Sequence, residues 1–380
     1  MITYKLSEIA QSTKGKKPKS VSKEKTEGFE IPYVDIKAFD KGIIDNFTDG
    51  ENCTFCKPDD VLIVWDGARC GFVGRGVEGA IGSTLAKISS EKYTNDFLFY
   101  FLQSKYKILN SNPRGVGIPH IEPNLLWNFE IPDIDKPTQH LIVTRIETLF
   151  AELDKGVEKL KTAQQQLKVY RQAVLNDCLT KGSEKWEKVK LGEVAEMCLG
   201  KMLDKNKNKG IYQPYLRNVN VRWGSFDLDD LLEMRFEDSE QERYGLQNGD
   251  LIMCEGGEPG RCAIWNGEAQ NMKIQKALHR IRLKPSVLNK YVYYLFYHYA
   301  QNGLLEKYFT GTTIKHLTGQ SLKSIEIYLP SLPEQQRIAQ EIETRLSACD
   351  VMEKNIAESL QQSEALRQSI LKKAFSGELV

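Results

Sequence analysis

The sequence has no uninterrupted apolar stretch of about 18 residues, the length that a membrane-spanning helix requires. Its start also lacks the charged, apolar and small-residue pattern of a signal peptide. Its 380 residues are 27% charged and 41% hydrophobic, an ordinary globular composition with enough length for two or three domains. We therefore expect a cytoplasmic protein with no membrane partner.

The motifs of common catalytic and cofactor sites are missing as well. There is no Walker A loop, no dinucleotide-binding glycine motif, no HExxH, no GxSxG elbow and no Asn-Pro-Pro-aromatic tetrapeptide of amino-methyltransferases. The stretch Lys57–Asp60 resembles the start of a nuclease carboxylate site, but no fitting Glu-x-Lys or Asp-x-Lys follows. We expect no catalytic residues in this chain.

Paired cysteines and an excess of charge are also scarce. Among eight cysteines only Cys53 and Cys56 form a CxxC, and neither a second CxxC nor a histidine pair completes a zinc site. Reduced thiols and no metal site are expected. The net charge of +1 argues neither for nor against nucleic acid, because acidic surface elsewhere can balance a basic face.

The sequence does contain a long repeat of itself. The phrase "LPSLPEQQRIAQEIETRL" (Leu329–Leu346) is echoed by "DIDKPTQHLIVTRIETLF" (Asp133–Phe150), 196 residues earlier. The same offset relates His120 to His316 and Arg171 to Arg367. A weaker echo with drifting offsets precedes this part, and pairs Val61–Gly67 with Asp250–Gly256 at an offset of 189. The chain is therefore predicted to be duplicated, with two variable fronts and two backs in fixed register.

The two backs have the pattern of long helices. Pro137 and Pro333 suit a first helical turn, and about 40 residues without proline follow each, a length of about 60 Å. Apolar residues recur at about 3.5-residue spacing, which indicates a coiled-coil seam. We expect helix 133–182 to pair with helix 329–380. The predicted seam residues of the second helix are Ile338, Ile342, Leu346, Cys349, Met352, Ile356, Leu360, Leu366 and Ile370.

The two fronts, residues 1–132 and 183–328, are predicted to be similar mixed α/β domains. Short apolar runs indicate strands, and aromatic-rich segments indicate helices. Their loops combine glycine with basic and amide side chains, which can approach phosphates and pair with base edges. One such loop is usually a solvated surface. Several of them at corresponding places of two repeated domains favour a two-site binder.

The order domain, long helix, domain, long helix closely resembles the specificity subunit of type I restriction–modification systems. The resemblance covers essentially the whole chain. Its specific motifs are "LPSLPEQQRI", which opens the second helix, and the ending "LRQSILKKAFSGELV" (Leu366–Val380). The first helix departs from this pattern, because it opens on the looser Asp-Lys-Pro-Thr-Gln-His.

The resemblance implies that residues 1–132 and 183–328 are target recognition domains, each reading one half of a split, asymmetric site in double-stranded DNA. The helices would form an antiparallel coiled coil that sets the spacer and docks two methyltransferase subunits, directing adenine methylation. Motor-nuclease subunits would join to restrict foreign DNA, unless the complex is modification-only. This chain would bind no cofactor itself, because S-adenosylmethionine, ATP and magnesium would belong to the partner subunits.

On this hypothesis the loops supply the DNA contacts. Half-sites about one turn of B-DNA apart, ~34 Å between centres, would suit two such domains. The alternative is a non-catalytic coiled-coil adaptor with two protein-binding domains, which predicts no salt-dependent affinity for DNA. Phosphate contacts are predicted for Lys14, Lys16, Lys17, Lys19, Lys205, Lys207 and Lys209. Base or near-base contacts are predicted for Arg69, Arg114, Arg217, Asn218, Asn220, Arg222, Arg261, Gln275 and Lys315.

Overall fold

The computed structural model describes residues 2–115 and 117–379, in two compact units. Unit 1 comprises residues 1–161 and 357–380, and unit 2 comprises residues 162–356. Each contains a mixed α/β domain and segments of both long helices, which confirms the expected fold class. The predicted DNA-contact loop 111–121 includes Val116, which lies outside the described residues. Among the described helices, none has the length and apolarity to span a membrane.

Short strands and a few helices precede the first long helix. They are β1 (Thr3–Lys5), α1 (Leu6–Ile9), β2 (Gln11–Lys14), β3 (Val21–Ser22), β4 (Ile31–Val34), α2 (Ile36–Lys41), β5 (Phe47–Thr48), β6 (Thr54–Cys56), β7 (Val61–Val64), β8 (Val73–Gly74), β9 (Gly79–Ile81), β10 (Leu85–Ser89), α3 (Asn95–Ser111), α4 (Pro123–Trp127) and β11 (Glu130–Pro132). The first long helix, α5, runs from Lys136 to Thr180.

The second domain follows in a similar order. Its elements are β12 (Glu187–Lys190), α6 (Leu191–Val194), β13 (Ala195–Leu199), β14 (Ile211–Leu216), β15 (Val221–Arg222), β16 (Ser225–Phe226), β17 (Leu232–Phe236), α7 (Gln241–Tyr244), β18 (Leu251–Cys254), β19 (Cys262–Ile264), β20 (Lys273–Ile274), β21 (Leu278–Leu283), α8 (Asn289–Gln301), α9 (Gly319–Lys323) and β22 (Glu326–Leu329). The second long helix, α10, runs from Leu332 to Ser376.

The two domains share their sheet topology. The four-stranded sheet β2-β10-β7-β8 of unit 1 has the same order as β13-β21-β18-β19 of unit 2. Each domain also has a parallel strand pair, β4 with β9 and β14 with β20. An antiparallel pair, β1 with β11 and β12 with β22, joins the start of each domain to its end. The duplication is therefore structural as well as sequential.

The strand pairing shows that one part of the alignment between the two repeats, at β7 and β18, is off by one residue. Val64 lies opposite Leu85, and Cys254 lies opposite Leu278, so Val64 corresponds to Cys254. The offset here is thus 190 residues, and the offset of 189 was wrong by one. Because side chains alternate along a strand, a one-residue slip exchanges the two faces of the strand.

The corrected register changes which side chains are equivalent in the loops that follow β7 and β18. Asp66 of unit 1 now corresponds to Gly256 of unit 2, whereas the original offset would have matched it to the acidic Glu255. The two loops therefore differ in charge at this position.

In unit 2 the two long helices lie side by side and run in opposite directions. Arg171 of α5 is 2.5 Å from Asp350 of α10, while Arg345 of α10 is 3.6 Å from Asp177 of α5. In unit 1, Arg367 of α10 pairs with Asp154 of α5. The pair Arg367–Asp154 is the repeat of Arg171–Asp350 with the helices exchanged, since both members shift by 196 residues. This reciprocity is what an antiparallel pair of repeated helices requires.

The covered stripe of α10 differs from the predicted seam at two positions. Met352 and Leu366 are 52% and 51% exposed, so their assignment to the seam was wrong. The covered positions follow two regular heptad rows that admit polar residues. These rows are Leu346, Glu353, Leu360 and Arg367, and Cys349, Ile356, Ser363 and Ile370. Glu353 and Arg367 are tolerated there because Arg171 and Asp154 of α5 neutralise them.

A buried glutamine fastens the start of α5 to its own domain. The side chain of Gln139 is fully buried, and its oxygen accepts a hydrogen bond from the amide of Thr94 at 2.9 Å. Its nitrogen donates to the carbonyl oxygens of Lys92 and Ile134 at 3.2 and 3.1 Å. Thr94 caps the N-terminus of α3, the aromatic helix whose Phe97 and other apolar residues form the core of unit 1.

Gln335 makes the same connection in unit 2. Its oxygen accepts from the amide of Leu288, which precedes α8, at 2.7 Å. Its nitrogen donates to the carbonyl oxygens of Ser286 and Pro330 at 3.2 and 2.8 Å. The repeated Pro-x-Gln phrase therefore ties each long helix to the aromatic helix of the domain before it.

We predict that Ala277→Gly stabilises unit 2. Ala277 has a φ of 84° in the turn closed by the Leu278 amide and the Gln275 carbonyl, a position that favours glycine. Relief of this strain is expected to raise the free energy of unfolding by about 1 kcal/mol, as measured by urea denaturation. Asn271→Gly is the control, because asparagine tolerates its φ of 55° with less strain. An equal gain in both variants would contradict the argument.

Candidate nucleic-acid interface

The first lysine-rich loop of unit 1 begins at the end of β2. Lys14, Lys16, Lys17 and Lys19 are all exposed. Within the part of the chain that the structure describes, the side chains of Lys16 and Lys17 have no partner, and Lys19 is 3.6 Å from Glu51. Lys16 and Lys17 are therefore available to an anionic ligand, as a phosphate contact requires.

A glycine holds this loop against the end of β9. The amide of Gly15 donates to the carbonyl of Leu85, and the amide of Lys16 donates to the carbonyl of Ile81. A Cβ on Gly15 would lie 2.2 Å from the carbonyl oxygen of Gly82. Gly200 has the same place in unit 2, where a Cβ would lie 2.3 Å from the carbonyl oxygen of Gln275. Both loops thus depend on a close approach of two backbones.

The structure brings Lys14 together with residues from two other loops of unit 1. Asp66 Oδ2 is 2.9 Å from Lys14 Nζ, and Asp66 Oδ1 is 2.6 Å from His120 Nδ1. Arg114 is joined to His120 by two backbone hydrogen bonds of 2.9 Å and has an exposed side chain. Burial acts to raise the pKa of Asp66, but hydrogen bonds from His120 and Lys14 outweigh it and lower that pKa. Asp66 is therefore an ionised carboxylate that Lys14 and His120 share.

The sequence analysis did not select Asp66 or His120 as functional residues. The repeat of His120 as His316 was the available signal, but a repeated histidine alone does not indicate a partner. The Asp66 contact could not be inferred, since 54 residues separate the two side chains in sequence.

Arg69 lies in the same loop as Asp66 but is held by other groups. Its guanidinium is 2.6 Å from Asp40 and 4.0 Å from the centre of the Phe72 ring. The hydrogen bond from Arg69 lowers the pKa of Asp40. A base contact by Arg69 would compete with this ion pair.

The second lysine-rich loop lies in unit 2, between β13 and β14. Lys205, Lys207 and Lys209 are exposed on a turn in which Asp204 accepts the amides of Asn206 and Lys207. Lys207 Nζ is 3.6 Å from Asp204, whereas the side chains of Lys205 and Lys209 have no partner among the described residues. The buried Lys201, which the sequence analysis missed, anchors the loop by pairing with Glu240.

A short 3₁₀ turn, Asn218–Asn220, positions the amide-rich loop that follows β14. Asn220 is only 2% exposed, and its side chain accepts the amide of Arg217 and donates to the carbonyls of Asp227 and Asp230. Positioning of the loop suits Asn220 better than a base contact. Asn218 is partly exposed, and its Nδ2 lies 3.5 Å from the carbonyl oxygen of Gly256.

The arginines of this loop are paired with nearby acidic residues. Arg217 is 2.7 Å from Asp230, and Arg222 is 3.2 Å from Asp227. Such pairs at the surface are weak, so DNA can replace the carboxylates. Arg222 is half exposed and the more accessible of the two.

The remaining predicted residues surround the same loop. Arg261 donates to the carbonyl of Asn218 at 2.9 Å and to Glu258 at 2.7 Å, which leaves its guanidinium 17% exposed. The backbone of Gln275 lies between Leu216 and Gly200. Lys315 is exposed in the hairpin that Thr310 and His316 close, the repeat of the Arg114–His120 hairpin. The fold thus brings four predicted residues to the loop after β14, namely Arg217, Asn218, Arg261 and Gln275.

A cluster of possible metal ligands on the long helices already holds a cation. Asp177, Cys178 and Glu341 bring their ligand atoms within 4.8 Å of one another. The guanidinium of Arg345 lies 3.6 Å from Asp177 and 3.4 Å from Glu341. This cluster is therefore a side-chain ion pair network.

Comparison with known proteins gives consistent matches. A family model described as "Type I restriction modification DNA specificity domain" matches residues 1–162 and 183–362. The type I restriction enzyme EcoKI specificity subunit of Escherichia coli K12 is 27% identical over 348 residues, covering 85% of this chain and 75% of that protein. The MjaVIII specificity subunit of Methanocaldococcus jannaschii is 25% identical over 401 residues, covering 99% and 92%.

Solved structures share the fold. One chain, from a structure on the complex assembly and conformational transition of the type I R-M system, has a TM-score of 0.77 at 20% identity and covers 99% of this chain and 98% of its own length. The HsdS subunit of Thermoanaerobacter tengcongensis has a TM-score of 0.62 at 20% identity, with coverages of 99% and 97%.

Proposed function

This chain belongs to the type I restriction–modification DNA specificity family, and we propose that its two domains each read one half of a split DNA site. The observation that carries the proposal is the pair of repeated domains with cationic loops at equivalent strand ends. The loops match in backbone, as Gly15 and Gly200 do, and differ in side chains. Two domains with the same backbone but different loop side chains suit a DNA site whose two halves differ in sequence.

The two long helices are proposed to set the spacer between the half-sites and to dock the partner subunits. Both expose apolar side chains that the described part of the chain leaves more than half uncovered, namely Val169 on α5 and Val351, Met352 and Leu366 on α10. Exposed apolar side chains on a helix support contact with another protein. We assign these contacts to two methyltransferase subunits, with motor-nuclease subunits joining the complex for restriction.

The chain itself is proposed to be non-catalytic and to bind no cofactor. S-adenosylmethionine, ATP and magnesium are assigned to the partner subunits, which would methylate adenine and cleave foreign DNA. This chain would contribute the recognition of the DNA target sequence.

Methylome sequencing of the host with and without the gene tests this function. We expect one split, asymmetric motif to lose its methyl mark when the gene is deleted. If every methylated motif survives the deletion, the proposal fails.

We predict that Arg217→Ala and Arg222→Ala weaken the recognition of one half-site. Loss of a base contact is expected to cost about 1–3 kcal/mol, or roughly 10- to 100-fold in affinity, for that half only. Binding to duplexes with substitutions in either half measures the effect. Arg337→Ala is the matched control, because Arg337 is an exposed arginine on α10, paired with Glu341. An equal loss on all sequences would instead assign the two arginines to phosphates.

A further inference from the structure

We propose that His120, held in position by Asp66, reads a base in the half-site bound by unit 1. The inference rests on the proposed function and adds a specificity residue and a positioning residue to it. Three independent features support it: the fixed orientation of the imidazole, its unused nitrogen, and its different surroundings in the second domain.

The imidazole of His120 is held by Asp66, and the backbone of His120 is held by Arg114. Its Nδ1 lies 2.6 Å from Asp66 Oδ1, while the other oxygen of Asp66 is 2.9 Å from Lys14. The backbone of His120 is joined to Arg114 by two hydrogen bonds of 2.9 Å, and the amide of Gly67 donates to Pro119 at 2.7 Å. The ring of His120 and its backbone are thus both held in place. A fixed group selects among bases better than a flexible one.

The chemistry of the pair leaves one nitrogen for a ligand. An ionised carboxylate only accepts hydrogen bonds, so Nδ1 of His120 must carry the proton that points to Asp66. Nε2 has no partner among the described residues, and the side chain is 45% exposed. A single nitrogen aimed in one direction suits a base edge, whereas the exposed Lys16 and Lys17 suit phosphates.

The second domain repeats the hairpin without the carboxylate. His316 is joined to Thr310 by backbone hydrogen bonds of 2.8 and 2.9 Å, as His120 is to Arg114. Gly256 occupies the place of Asp66, and His316 Nδ1 lies 3.1 Å from where a Cβ on Gly256 would be. The same scaffold therefore carries different chemistry in the two domains, at a place where two unlike half-sites must be distinguished.

The test measures base preference position by position. The full chain, in complex with its methyltransferase subunits, is titrated against duplexes that carry each single substitution in either half of the methylated motif. His120→Ala is expected to reduce discrimination at one base pair of one half-site by about tenfold, the size of one good base contact. Asp66→Ala should act at the same base pair. The double variant should lose no more than His120→Ala alone, because the two residues act as one unit.

Two further variants separate positioning from folding. Asp66→Asn keeps an oxygen that accepts the Nδ1 proton and should restore most of the discrimination. Asp45→Ala is the matched control in unit 1, because it removes an exposed carboxylate that pairs with Lys37 and not with His120. It should leave every preference unchanged, and His316→Ala should leave the preferences of the His120 half-site unchanged.

Three results would overturn the inference. They are unchanged preferences in His120→Ala, an equal loss of affinity on all sequences, and effects of Asp66→Ala and His120→Ala at different base pairs. In each case the unaltered protein still distinguishes both half-sites, so the proposed function stands. If the unaltered complex shows no preference in either half, the proposed function fails as well.

Discussion

Gly200→Ala is expected to weaken recognition of one half-site strongly while leaving recognition of the other intact. The new Cβ would lie 2.3 Å from the carbonyl oxygen of Gln275 and 2.8 Å from that of Ile274. Both obstacles are backbone atoms, so no side chain can rotate away. The loop that carries Lys205, Lys207 and Lys209 must move away from the turn that carries Gln275. Overpacking of this kind costs about 1–3 kcal/mol or more, which corresponds to roughly a 100-fold loss of affinity at the upper figure.

The equivalent glycine of unit 1, Gly15, supplies a matched variant that should affect the other half-site. Gly15→Ala would place a Cβ 2.2 Å from the carbonyl oxygen of Gly82 and should weaken recognition of the other half-site to a similar degree. Gly156→Ala on α5 is the control, because no described residue outside its own stretch of helix lies within 4 Å of the Cβ position and helix propensity favours alanine. It should leave both half-sites unchanged.

Binding to duplexes with one half scrambled at a time distinguishes the outcomes. If Gly15→Ala and Gly200→Ala weaken binding to the same half-site, the two units do not read separate halves. If both variants weaken both halves equally, the loops act on the whole complex and the assignment of one half to each unit fails.

The long helices were predictable from the sequence because their signals are local. A proline in the first turn, a long stretch without proline and a short apolar period all act within one helix. The predicted seam was wrong at Met352 and Leu366 because it followed hydrophobicity alone. The stripe that is covered includes Glu353 and Arg367, whose charges are balanced by residues on α5 that are distant in sequence. The spacing of apolar residues carries no information about such ion pairs between two helices.

The positions of the DNA-contact loops could be predicted from the sequence, but the roles of their individual side chains only in part. Lysines beside glycine at repeated positions led to Lys16, Lys17, Lys205 and Lys209, and the structure leaves all four exposed. Amide and arginine side chains carry no such signal. Asn220 turned out to be buried because it satisfies the backbone of its own loop, a role set by tertiary contacts. The Asp66–His120 pair was missed for the same reason.

The two glutamines explain why the helix-opening phrase keeps its register while the domains before it vary. A base-reading loop can change without disturbing the core, since it lies at the surface. A buried amide that satisfies three backbone groups leaves no such freedom, because each partner must stay at hydrogen-bond distance. The interface between domain and helix is therefore the rigid part of a protein whose reading loops can change.

Gln335→Leu is accordingly expected to lower the free energy of unfolding of unit 2 by about 3 kcal/mol or more. Leucine fills the space but leaves the amide of Leu288 and the carbonyls of Ser286 and Pro330 unpaired, at about 1–3 kcal/mol for each buried group. Urea denaturation measures the loss. Hydrogen exchange should rise at the start of α8, and in Gln139→Leu at the start of α3 instead.

Gln340→Leu and Gln335→Glu sharpen the test. Gln340 is exposed, and among the described residues its side chain bonds only Thr344, so its replacement should change stability by no more than about 0.5 kcal/mol. A glutamate at 335 would face two carbonyl oxygens, which raises its folded pKa above the unfolded value. The folded state then binds the extra proton, so the stability of this variant should fall as pH rises from about 4 towards 8. Equal stability of Gln335→Leu and Gln340→Leu would show that the buried amide does not fasten the helix to its domain.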